Sequence, residues 1–142
     1  MKLTTKQKND LVKKAIEARQ SSYSPYSKYP VGAAILAGSG KIYMGTNIEN
    51  ASYGLTVCAE RTAIFKAISE GEKKIKAIAI YAGKKTAGAA GSPCGACRQV
   101  MAEFLDASSP LLLVKKDLKG KTVVTEHTLE DFFPLPFSPK DL

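Results

Sequence analysis

The chain has three thiols, and they fall into two short groups: Cys58-Ala59-Glu60, and Pro93-Cys94-Gly95-Ala96-Cys97. Three thiolates suit a tetrahedral zinc ion, and a catalytic zinc keeps its fourth position for water. Each group opens an expected helix, where free N–H groups and the positive end of the helix dipole lower a thiol's pKa. Cys94 and Cys97 are three apart and share one side of a helical turn. With three cysteines in all, a four-thiolate structural site within one chain is impossible. Two alternatives remain open. A C-x-x-C pair alone reads as a redox motif or half a structural zinc site, and the only histidine, His127, could complete a Cys₃His structural site.

Glu60 sits two residues after Cys58, close enough to reach the site without ligating. A carboxylate beside a zinc-activated water can take its proton and pass it to a substrate. An ordinary glutamate favoured by the helix dipole is the competing reading. Arg61, three residues after Cys58, falls on the same side. Three thiolates and Zn²⁺ leave excess negative charge, and Arg61 is expected to balance it through hydrogen bonds to sulfur. A plain surface arginine is the alternative.

The elements that must hold these groups follow from periodicity and punctuation. Residues 5–20 read as a helix with Leu11, Val12, Ala15 and Ile16 on one face and Thr5 as N-cap. Residues 31–37 and 41–47 read as strands joined by a turn at Gly38-Ser39-Gly40. Loops are expected over 21–30 and 47–57, and a helix over 58–70 stopped by Gly71. A buried strand over 75–81, a flexible Gly/Ala loop over 83–92 and a helix over 94–105 started by Pro93 come next. Strands over 111–115 and 121–125, a short helix over 128–133 capped by Thr128, and an extended Pro-rich tail complete the chain. The order αββαβαββα contains two helical crossovers, which imply parallel strand pairs. The last two strands are too close in sequence for a crossover and should form an antiparallel hairpin. The expected fold is a three-layer α/β/α domain of the α/β class with a five-stranded mixed sheet.

Composition narrows the function classes. One domain over residues 1–142 is expected, and the 44% apolar content excludes a disordered chain. The first ten residues have no apolar signal-peptide core, and no apolar run approaches a membrane span. An odd cysteine count without a signal points to a reducing, cytoplasmic setting. The net charge of +8 comes largely from scattered lysine pairs, with only three arginines. It reads as a solvated surface rather than a nucleic-acid interface.

These motifs match the zinc-deaminase scheme H-x-E…P-C-x-x-C, with Cys58 in the histidine position. The sequence resembles the cytidine deaminase family, in its small, homotetrameric, three-cysteine branch. The resemblance rests on residues 25–34 (PYSKYPVGAA), 47–53 (NIENASY), 58–63 (CAERTA) and 92–100 (SPCGACRQV), and on the tail 137–142. It implies that Asn47 and Glu49 hold sugar hydroxyls, that Ala51 offers backbone groups to the base, and that Tyr29 stacks near the pyrimidine. It also implies that Tyr53 and Phe137 reach a neighbouring subunit's site. Two departures stand out: Tyr29 where the family often has Phe, and Thr46 where a cysteine is common. The 83–91 stretch also looks longer than usual.

The expected reaction is hydrolytic deamination of cytidine and deoxycytidine to uridine and deoxyuridine, by zinc-bound hydroxide with Glu60 as proton shuttle, in pyrimidine salvage. The rivals are a deaminase of nucleotides, aminoacylnucleosides or polynucleotide bases, and a non-enzymatic zinc module that binds nucleic acid. Glu49 speaks against a phosphate beside the sugar. The zinc module leaves Glu60, Asn47 and Glu49 without a role.

Overall fold

The computed structural model describes residues 2–82 and 91–142. The Gly/Ala loop expected over 83–92 falls largely on residues 83–90, outside the described residues. Helices α1 (Thr5–Arg19), α2 (Ala59–Ser69), α3 (Gly95–Phe104) and α4 (Leu129–Phe132) alternate with strands β1 (Val31–Ala37), β2 (Ile42–Thr46), β3 (Ile75–Ala82), β4 (Pro110–Lys116) and β5 (Thr122–Thr128). The strands form one five-stranded sheet in the order β2-β1-β3-β4-β5.

The sheet is mixed, but it has fewer parallel neighbours than the two crossovers suggested. β3 and β4, joined by α3, pair in parallel. The other crossover, through α2, does not give an adjacent pair. β1 lies between β2 and β3 and is antiparallel to both, so β2 and β3 share a direction without touching. β4 and β5 form the expected antiparallel hairpin. β5 runs to Thr128, three residues further than expected, and takes in His127.

Side chains alternate across the sheet as the pleat demands. Ala34, Leu36, Ala77, Ala79, Leu112 and Val114 face Leu11 and Ala15 of α1. Ala33, Ile35, Ile78, Ile80, Leu111 and Leu113 face α2, α3 and α4. With both faces covered, β1 and β3 are near-continuous apolar runs. Two glycines set how close the helices come. A Cβ on Gly32 would lie 2.2 Å from the Ala15 carbonyl oxygen of α1, and one on Gly45 would lie 2.4 Å from the Ala63 nitrogen of α2.

Helix ends refine the sequence expectations. The N-cap of α1 is Thr4, not Thr5. Its hydroxyl accepts from the Gln7 N–H at 3.1 Å, and the Gln7 side chain accepts from the Thr4 N–H at 2.9 Å. The glutamine three residues on selects the earlier threonine through this reciprocal box. Gly71 takes a left-handed φ of 102° after α2, as its role at the helix end requires. Thr128 is the N-cap of α4, and its N–H donates to Asp131 Oδ2 at 2.8 Å. The tail is not fully extended, since Pro139–Asp141 forms a 3₁₀ turn capped by Ser138.

Candidate active site

Cys58 and Cys94 are the N-cap residues of α2 and α3, and Cys97 lies in the first turn of α3. The helices pack on the same face of the sheet, which brings the three sulfurs within 4.8 Å of one another. Cys58 Sγ and Cys94 Sγ are 3.8 Å apart. Two sulfurs each about 2.3 Å from one ion at the tetrahedral angle would lie about 3.8 Å apart, so this donor set fits zinc. His127 is not in this group. Its Nε2 lies 3.1 Å from Thr125 Oγ1 and its ring meets the Phe132 ring edge-on, so the Cys₃His alternative has no support.

Glu60, in the first turn of α2, is only 5% exposed. Cys97 Sγ lies 3.6 Å from Glu60 Oε2. Burial pushes the Glu60 carboxyl above its ordinary value, and negative charge on Cys58 adds to the rise. The Cys58 thiol is held down to about 5, chiefly by a hydrogen bond from Cys97 and next by one from Arg61, against the opposing effect of burial. The Cys97 thiol is pushed up, mainly because it donates to the Cys58 sulfur and is buried. Arg61 Nη2 donates to Cys58 Sγ at 3.5 Å, while its Nε is buried with no partner. Arg61 is partly buried and points its guanidinium at the Cys58 sulfur.

Above the sulfurs opens a cavity of about 400 Å³. Cys58, Glu60 and Cys94 line its floor, and Tyr29, Asn47 and Glu49 are among its walls. Asn47 uses its amide to hold the wall. Oδ1 accepts from the Val31 N–H at 2.9 Å and from the Ser22 hydroxyl, and Nδ2 donates to the Tyr29 carbonyl at 2.9 Å. Glu49 accepts from the Tyr26 N–H at 2.9 Å, the Ser27 N–H at 3.1 Å and the Ser27 hydroxyl. These bonds, that of the Ser27 hydroxyl foremost, hold its carboxyl below its ordinary value. Glu49 thus faces the cavity as an anion.

Ala51, Tyr53 and Phe137 do not line this cavity. Tyr53 is 74% exposed, with its ring edge-on to Tyr26, and Phe137 is 59% exposed, with its carbonyl accepting from Gln99 Nε2. Sequence reasoning missed Ser22, Ser27 and Thr56, which act on or beside the wall. It also missed Arg98, whose Nε donates to the Pro93 carbonyl at 2.7 Å and whose Nη1 donates to the Phe132 carbonyl at 2.8 Å. That arginine ties the start of α3 to α4. Its position directly after the C-x-x-C pair was the available signal.

A three-sulfur zinc site beside a buried carboxyl, at the floor of a small-molecule cavity, defines a zinc-dependent deaminase fold and site. Residues 5–110 match the family described as the cytidine and deoxycytidylate deaminase zinc-binding region, and the chain belongs to that family. The cytidine deaminase of Sporosarcina psychrophila is 51% identical over 132 residues, covering 93% of this chain and 92% of that relative. The cytidine deaminase of Halalkalibacterium halodurans is 48% identical, covering 93% and 95%. The crystal structure of cytidine deaminase from Burkholderia pseudomallei has a TM-score of 0.79 at 39% identity, covering 95% of this chain and all of that one.

Proposed function

We propose that the chain, as one catalytic domain, hydrolyses cytidine and deoxycytidine to uridine and deoxyuridine with release of ammonia, serving pyrimidine salvage in the cytoplasm. The observation that carries this reading is the placement of Glu60: a buried carboxyl on the cavity floor, 3.6 Å from a cysteine sulfur, with an anionic Glu49 on the wall. Cys58, Cys94 and Cys97 would hold the zinc, which would supply Lewis acidity to the attacking water.

Glu60 moves the protons. It takes one from the attacking water and places it on ring nitrogen N3, which makes C4 more electrophilic. It then carries the second proton to the exocyclic nitrogen, which departs as ammonia. Raised proton affinity suits a group that must hold a proton between these steps. Arg61 offsets the charge of the thiolates through its bond to Cys58. Asn47 and Glu49 bind the sugar hydroxyls, Ala51 offers backbone groups to the base edge, and Tyr29 stacks against the pyrimidine. Glu49 disfavours a phosphate near the sugar, which selects nucleosides over nucleotides.

Tyr53 and Phe137 complete the site of a neighbouring subunit in a homotetramer. Their exposure on one chain supports this reading. The purified zinc-loaded protein should release ammonia from cytidine and deoxycytidine, with far slower release from CMP or a cytosine oligonucleotide. Preference for either of the latter overturns the assignment. Light scattering on the same sample should give four times the chain mass, and a monomer removes the roles of Tyr53 and Phe137.

A further inference from the structure

Two loops contribute to the cavity wall, and a single side chain joins them. Ser27 donates to Glu49 Oε1 through its N–H at 3.1 Å and to Oε2 through its hydroxyl. The same hydroxyl oxygen accepts from the Tyr29 N–H at 3.0 Å. Between them Lys28 sits at φ +56°, the left-handed region that a lysine avoids unless its neighbours hold it there. Tyr29 is anchored again from its other side, where its carbonyl accepts from Asn47 Nδ2. Ser27, Tyr29, Asn47 and Glu49 all line the cavity.

We propose that Ser27 is a positioning residue for nucleoside binding: its hydroxyl fixes the Glu49 carboxylate toward the sugar and, through the Tyr29 backbone, sets the aromatic wall beside the base. This rests on the reading of Glu49 and Tyr29 as substrate contacts. The hydroxyl proton is committed to Glu49 and one lone pair to Tyr29. Loss of the hydroxyl frees one carboxylate oxygen and removes the acceptor that holds the Lys28 turn. The depressed proton affinity of Glu49, to which the Ser27 hydroxyl contributes most, agrees with a carboxylate held ready as an acceptor. The floor of the site belongs to α2 and α3, which Ser27 does not bond. Binding should therefore weaken while the chemical step proceeds.

The test compares wild type, Ser27→Ala and Ser27→Thr on cytidine and on 2′,3′-dideoxycytidine, which lacks the sugar hydroxyls facing Glu49. Ser27→Ala should raise KM for cytidine about tenfold, the loss of one charge-assisted hydrogen bond. Its kcat should stay within about twofold, the pattern of lost uniform binding. KM for the dideoxy analogue, which senses only the Tyr29 wall, should rise less, so the preference for cytidine narrows. Ser27→Thr keeps the hydroxyl and should restore that preference. A general loss of structure would depress both substrates alike, and that outcome overturns the proposal, as does an unchanged KM for cytidine. Wild type inactive on cytidine would instead sink the functional reading itself.

Discussion

Replacing Gly45 by alanine tests whether the contact between β2 and α2 sets the catalytic floor. The new Cβ would lie 2.4 Å from the Ala63 nitrogen, 2.7 Å from the Ala59 oxygen and 2.8 Å from the Ala63 Cα. All three are helix backbone, so no side chain can swing away. An ordinary contact begins near 3.4 Å, so α2 must recede from the sheet by about 1 Å. Overpacking of this kind costs about 1–3 kcal/mol. With a urea m-value of about 1–3 kcal/mol/M, the unfolding midpoint should fall by roughly 1 M. The displaced helix carries Glu60 and follows Cys58, whereas Cys94 and Cys97 stay with α3. A misplacement of about 1 Å can cost about 100-fold in rate.

Gly32→Ala is the matched control. Its Cβ would meet the Ala15 oxygen at 2.2 Å and the Arg19 nitrogen at 2.4 Å, on α1 and across the sheet from the sulfurs. It should lower the midpoint similarly while the folded protein keeps its kcat within a few-fold. Urea unfolding followed by circular dichroism, with kcat measured at temperatures where both variants are fully folded, decides the matter. If both variants lose kcat equally, or Gly45→Ala keeps its midpoint, the β2–α2 contact does not set the catalytic floor.

Three further outcomes follow from the site and the caps. Glu60→Gln should retain zinc by metal analysis and lose about 10²–10⁴ in kcat; turnover near that of wild type removes the proton-carrying role. Arg61→Gln should also keep its zinc but turn over more slowly, and unchanged kinetics return Arg61 to an ordinary helix position. Asp131 is held below its ordinary value by the Thr128 N–H at 2.8 Å. Because its folded pKa is depressed, its contribution is present above the unfolded value and fades as pH falls through the folded one. The midpoint gap between wild type and Asp131→Asn in urea should therefore close on acidification, and a gap independent of pH contradicts the capping role.

Much of the architecture was legible because it is written locally. Gly71 after an apolar-faced helix, Thr128 three residues before Asp131, and the short unbroken apolar run of β1 each specify their element without help from distant residues. The insertion of β1 between β2 and β3 was not legible, since periodicity counts strands but does not order them. The choice of Thr4 over Thr5 turned on the Gln7 side chain and needed the capping box to be read. At the site, the two cysteine groups announced themselves by spacing, and the packing of α2 beside α3 supplies their convergence. The clamp of Ser27 on Glu49 spans 22 residues between two irregular segments, and no periodic signal marks such a pair. Tyr53 and Phe137 stand outside the cavity of one chain, so their place depends on what lies against it.

Cys58 and Cys94 begin their helices without any side-chain hydrogen bond to the exposed N–H groups. Serine, threonine or aspartate would ordinarily fill that position. Here the sulfurs turn instead toward one another, where a shared cation would join two helix starts that lie 36 residues apart in the chain. Metal loss would therefore loosen both first turns together and open a long loop. Zinc supply would then govern how long the molecule survives proteolysis as well as whether it turns over.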